Sequence, residues 1–130
     1  MYNAAALSQY QSVDVDSKVS SSTPHSLIAM LLDGLLKKLA VASGAIERND
    51  ISMKGENISA AIRIVDSLRA SLDEKGGELA INLASLYDYM ERRLLEANIK
   101  SDTKIIAEVV SLIGEIKSGW DAIPDELRGA

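Results

Sequence analysis

TPHSLIAMLLDGLLKKLAVASGAIER, residues 23–48, decides the fold. Ile28, Leu31, Leu32, Leu35, Leu39, Ala42 and Ile46 recur at three- and four-residue intervals. That spacing lines up one face of an α-helix. Thr23 is placed to cap the helix, and Pro24 suits its first position, where a backbone N–H would lack a helical partner anyway. Leu27, Met30 and Leu36 widen the stripe beyond what one core contact requires. Gly34 and Gly44 each weaken a helix by up to ~1 kcal/mol against Ala. Gly34 is read as a point of close approach by a neighbouring backbone.

Working outward, residues 48–50 (RND) make a turn, and Asp50 or Ser52 caps a second helix over 51–75. Its stripe is Ile58, Ala61, Ile62, Val65, Leu68 and Leu72. Gly76 and Gly77 tolerate positive φ and are expected to end it. A third helix spans 78–99, with Glu78 in its first turn, where a negative charge suits the helix dipole. Leu79, Leu83, Leu86, Tyr87, Met90, Leu94 and Ala97 form its stripe, and Asn98 is expected to close it. Ser101 or Asp102 caps a fourth helix over 102–123, striped by Ile105, Ile106, Val109, Leu112, Ile113, Ile116, Trp120 and Ile123. Pro124 stops it. Amphipathic helices joined near Asn49, Gly77 and Lys100 predict an all-α protein, an antiparallel four-helix bundle with a mobile N-terminal arm or short N-terminal helix. The expected organisation is a single domain over 1–130: arm 1–22, bundle 23–124, polar tail 125–130. The arm carries apolar residues of its own: Tyr2, Leu7, Tyr10, Val13 and Val15.

Composition narrows the function. The chain has 130 residues, enough for one domain with a real core. Phe is absent and Trp occurs once, so aliphatic side chains must build that core, as helices do readily. A net charge of −5 argues against nonspecific nucleic-acid binding and against docking on anionic lipid. With no cysteine there is no disulfide and no thiolate chemistry. No apolar run approaches the ~18 residues a membrane span needs, and no N-terminal stretch reads as a secretion signal. The expectation is a soluble cytoplasmic protein.

No catalytic constellation stands out. His25, the sole histidine, is read as a partly exposed residue of a first helical turn that bonds locally. A phosphotransfer histidine would sit mid-helix on an exposed face, and one histidine cannot build a di-iron bundle site. Glu91, Glu96, Glu108 and Glu115 are read as solvated faces, not as a carboxyl pair. Arg92 and Arg93 are read the same way. The glycines form no phosphate loop. The chain is therefore expected to be no enzyme, with no cofactor and no metal.

Four strings carry a resemblance: TPHSLIAMLLDG at 23–34, KGENISAAIRIVDSLRASLD at 54–73, GGELAINLASLYDYMERRLLEAN at 76–98 and EVVSLIGEIKSGW at 108–120. Together with the Met1-Tyr2 start and YQSVDVDS at 10–17, this ordered set resembles the flagellin export chaperones, the FliS family. The resemblance implies a bundle that binds the C-terminal segment of flagellin in the cytoplasm. It implies that holding this segment prevents premature polymerisation and that the chaperone assists delivery to a component of the flagellar export gate. It also implies that positions matching Leu7 and Tyr10 contact flagellin or cover its groove. A partner that folds on the surface needs apolar stripes wider than the core consumes, and the first three helices have surplus positions.

The partner-binding candidates are thus Leu7, Tyr10, Ile58, Ile62, Ile64, Val65, Leu79, Leu83, Leu86 and Tyr87. Most of those on the stripes are read as plain core, since a stripe is usually core. Ile64, Ile81 and Tyr89 lie off the stripes and are the better candidates for exposed groove walls. Trp120 is read as a core anchor closing one bundle end. The alternative function is a helical-bundle signalling or phosphotransfer module. A third is a subunit that self-associates through the same grooves, with a possible homodimer of the free protein. No nucleic acid and no membrane insertion are expected.

Overall fold

The computed structural model describes residues 23–73 and 76–123. Leu7, Tyr10 and the rest of the arm, and the tail, lie outside the described residues. The helices are α1 (Pro24–Glu47), α2 (Ile51–Ala70), α3 (Gly77–Lys100) and α4 (Thr103–Asp121). Each packs on two others: α1 on α2 and α4, and α3 on α2 and α4. Cross-helix pairs give the directions. His25 at the start of α1 meets Trp120 at the end of α4, and Lys54 near the start of α2 reaches Asn98 near the end of α3. Neighbours therefore run antiparallel around one core. Among the described residues, no helix is long and apolar enough to cross a membrane.

Local chemistry sets most boundaries. Thr23 Oγ1 accepts from Ser26 N at 3.1 Å, and Pro24 takes the first helical position. Asp50 Oδ1 accepts from Met53 N at 3.1 Å and Asp102 Oδ1 from Lys104 N at 2.8 Å, so two aspartates start α2 and α4. Two of the reversals share one device. Asn49 (φ 57°) and Ser101 (φ 49°) adopt the left-handed conformation. The next residue then bonds back to the helix, Asp50 N to Ala45 O at 2.8 Å and Asp102 N to Ala97 O at 3.2 Å. This is the Schellman closure of a helix end.

The joint between α2 and α3 differs from the sequence expectation. Helix α2 stops at Ala70, not at Lys75. Ser71 Oγ donates to Ser67 O at 2.6 Å and Leu72 N to Arg69 O at 3.2 Å. Ser67 O thus accepts a second bond besides that of Ser71 N at 3.0 Å, and the Arg69 carbonyl is satisfied by a tighter turn. Gly77, at φ 60°, opens α3 instead of closing α2. Nor does Asn98 end α3. Its carbonyl accepts from Lys54 Nζ at 3.0 Å, and the helix runs on to Lys100.

The core is the expected aliphatic one. Ile28, Leu32, Leu35, Leu39, Ile58, Val65, Leu68, Tyr87, Met90, Leu94, Ile106, Val109 and Ile113 are all buried. Gly34 has no close backbone neighbour. A methyl group there would meet Ile64 Cδ1 at 3.9 Å, ordinary van der Waals contact. Ile64 itself is buried, which corrects its reading as an exposed groove wall. Its row on α2 faces α1, whose glycine leaves room for it.

Candidate partner-binding surface

The early end of α2 shapes the surface. Arg69 pairs with Asp88 at 2.6 Å. In that antiparallel register Ala70, the last residue of α2, stands opposite Tyr87. Residues 77–86 of α3 therefore extend past α2, and along this overhang α3 packs on α4. Leu79, Leu83 and Leu86 sit on it. Leu79 is 58% exposed, and Leu83 and Leu86 are half-buried. The stripe of α3 thus continues beyond the helix that would have covered it.

Between the overhang and α4 lies a groove of about 240 Å³ lined by Leu79, Leu83, Glu115, Ile116, Gly119, Trp120 and Ile123. The lining is almost wholly apolar, with one carboxylate at the rim. Gly119 has nothing within 4 Å of where a methyl group would stand, so α4 contributes open space there.

One wall is fixed by a reciprocal clasp between α1 and α4. The His25 and Trp120 rings stack, with centroids 4.6 Å apart and planes 8° apart. Trp120 Nε1 donates to His25 O at 2.9 Å, and His25 Nε2 donates to Trp120 O at 2.9 Å. His25 is 7% exposed. It is neither partly exposed nor locally bonded, as the sequence suggested. Its partner is 95 residues away, which no local pattern reveals. Trp120 is the expected anchor of a bundle end, and it also serves as groove wall. Helix α1 thus begins, at Thr23 and Pro24, beside the groove.

The remaining candidates divide by burial. Ile58, Ile64, Val65 and Tyr87 are buried in the core, and Ile62 is half-buried on α2. Only Leu79, Leu83 and Leu86 share one exposed edge. Sequence reading missed the α4 side of that edge, Ile116, Gly119 and Ile123. The signal was present, since the α4 stripe runs to Ile123. Its exposure depends on where α2 ends. Further apolar residues lie open outside the groove: Ile81 on the overhang, and Ile51, Leu95 and Ile99 at the opposite end of the bundle.

Of the charged residues read as solvated faces, Arg93, Glu96 and Glu108 are in fact paired. Arg93 Nε donates to Glu108 Oε1 at 2.7 Å, and Tyr89 Oη donates to Glu108 Oε2 at 2.8 Å. Glu96 binds both Arg93 and Lys100. Hydrogen bonds from Arg93 and then Tyr89 hold the Glu108 carboxyl below its ordinary range. The Lys100 bond, followed by the charges of Lys100 and Arg93, does the same for Glu96. These links tie α3 to α4 below the overhang. Tyr89 is therefore engaged in a network instead of standing as a free groove wall. Among the described residues, no group of three or more His, Asp or Glu side chains is gathered as metal ligands would be.

Comparison with known proteins places this geometry in context. The family model described as flagellar protein FliS matches residues 6–127. The chain is 51% identical over 124 residues to the flagellar secretion chaperone FliSB of Pseudomonas aeruginosa, covering 95% of this chain and 98% of that protein. It is 48% identical over 125 residues to the flagellar secretion chaperone FliS of Salmonella typhimurium, covering 95% and 93%. To the chaperone of the same name from Bacillus subtilis it is 39% identical over 111 residues, covering 85% and 83%.

Proposed function

The chain belongs to the FliS family of flagellar proteins, and on that premise we propose that it is a flagellar secretion chaperone. It acts by binding, not by catalysis. Its client is flagellin, held in the cytoplasm through the C-terminal segment. Holding that segment prevents premature polymerisation and prepares flagellin for delivery to a component of the flagellar export gate.

The observation that carries this reading is the apolar groove along the α3 overhang. An amphipathic helix seated there buries the otherwise exposed Leu79 and covers Leu83, Ile116 and Ile123. Each apolar side chain fully removed from water contributes ~1.5–3 kcal/mol. Ordering a disordered client costs ~2–5 kcal/mol or more of that gain. The resulting grip is firm enough to hold and weak enough to release. Ile81 is exposed on the overhang itself, and Ile51, Leu95 and Ile99 are exposed at the opposite end, as suits a client that wraps around the bundle. Leu7 and Tyr10 of the arm serve either as part of the grip or as its cover, as the family resemblance implies. In the free protein the same apolar edge is the place for a homodimer to form.

The test is co-purification with flagellin, intact and lacking its C-terminal segment. We expect capture of the intact client and none of the truncated one. Equal capture of both would overturn the assigned mode of binding. The alternative of a phosphotransfer module has no observation in its favour, since the sole histidine is buried and clasped to Trp120.

A further inference from the structure

The seam between α2 and α3 carries two rungs in the same register. In one, Arg69 and Asp88 form an ion pair. One turn away in that register, Asp66 on the exposed side of α2 stands opposite the half-buried Glu91 of α3. Both are carboxyl groups, and two carboxylates have no hydrogen to share. Glu91 Oε1 is sealed from solvent and receives no hydrogen bond. An ionised carboxylate oxygen left in that state is costly. The nearest cation does not resolve it, because Arg69 is already committed to Asp88. The charged groups facing Glu91 are Asp66 and Arg69 from α2 and Asp88 from its own helix, two acids and one occupied base.

We propose that Glu91 holds a proton at the α2–α3 seam and donates it in a hydrogen bond to Asp66, and that this proton is a latch that ties the two helices while bound and loosens them when it leaves. With the proton in place, one carboxyl donates an O–H···O⁻ hydrogen bond to the other. When the proton passes to solvent, two carboxylates are left facing each other. Burial, then the Asp66 hydrogen bond and the charges of Asp66 and Asp88, push the Glu91 carboxyl up to about 7. The sign follows. A carboxyl whose folded-state value lies above its unfolded one stabilises the fold fully below the unfolded value, and that stability is lost as pH rises through the folded value. The latch therefore tightens as pH falls through neutrality. It is independent of which client the groove takes.

The experiment is thermal unfolding of the full chain between pH 5.5 and 8.5, with Glu91→Gln and Asp66→Asn beside the parent protein. Glutamine keeps the shape and can donate to Asp66 without losing a proton. We expect the parent's melting temperature to fall across the range, and Glu91→Gln to remove most of that fall and exceed the parent at pH 8.5. Asp66→Asn should flatten the profile as well. Carbon NMR of the Glu91 carboxyl should give a midpoint near neutrality in the parent. In Asp66→Asn that midpoint should move down. A Glu91 midpoint in the ordinary carboxylate range, or a Glu91→Gln profile parallel to the parent's, overturns the proposal. A variant that loses stability equally at every pH overturns it too.

Discussion

The residues of one helical stripe play two different parts here, and their neighbours decide which. Leu94 and Leu79 both lie on the inner stripe of α3. Leu94 is fully buried, whereas Leu79 is 58% exposed on the overhang. We expect Leu94→Ala to cost ~2–5 kcal/mol, because it empties a closed core. Leu79→Ala should change stability by no more than ~0.5 kcal/mol, the usual range for surface sites. Urea denaturation separates the two, and equal losses would mean that the overhang is core. Gly34 gives a test of opposite sign. A methyl group fits there at van der Waals distance from Ile64. Gly34→Ala should therefore raise stability by ~0.5–1 kcal/mol through helix propensity and a restricted unfolded chain. A loss of stability would restore the close approach that the sequence suggested. His25 shows the limit of reading residues singly. Its sequence context is that of an exposed first turn, and only the fold brings Trp120 against it.

At the scale of elements, the helices and their caps were legible because their signals are local. Thr23-Pro24, Asp50 and Asp102 are strong starting signals, and the structure uses each of them. The end of α2 was not legible. Gly76-Gly77 is the conspicuous helix stop, but the chain turns earlier, where Leu72 N bonds back to Arg69 O at 3.2 Å and the Ser71 hydroxyl to Ser67 O at 2.6 Å. That shift of a few residues exposes the head of the α3 stripe and creates the groove. The groove is thus a tertiary consequence of a local competition, and α4 residues belong to it although periodicity marked them as core. Gly119 offers a clean test of its use. Nothing stands within 4 Å of a methyl group added there, so Gly119→Met should leave the fold intact and fill the groove. Helix propensity also favours the change. We expect an unchanged or higher melting temperature together with at least tenfold weaker flagellin binding by calorimetry. Undiminished binding would place the client elsewhere on the bundle.

For the whole molecule, the described helices complete the core among themselves, and the His25–Trp120 clasp closes the ring where α1 begins. Thr23 caps α1 at that clasp, beside the groove that Trp120 lines. A short helix is marginal in water, so any order in the arm must come from docking. Leu7 and Tyr10, at i and i+3, supply most of the apolar surface that docking would use. We expect Leu7→Ala with Tyr10→Ala to leave the melting temperature nearly unchanged, because neither residue completes a stripe of the ring. The effect on flagellin binding then assigns the arm's role. As part of the grip, the double change should weaken binding by ~2–5 kcal/mol, the order of two buried side chains. As a cover competing for the groove, its loss should tighten binding, since the client no longer displaces an internal contact. Family resemblance favours the grip, so weaker binding is the expected outcome of the titration. Affinity equal to the parent's would exclude both roles and leave client contact to the overhang and α4 alone.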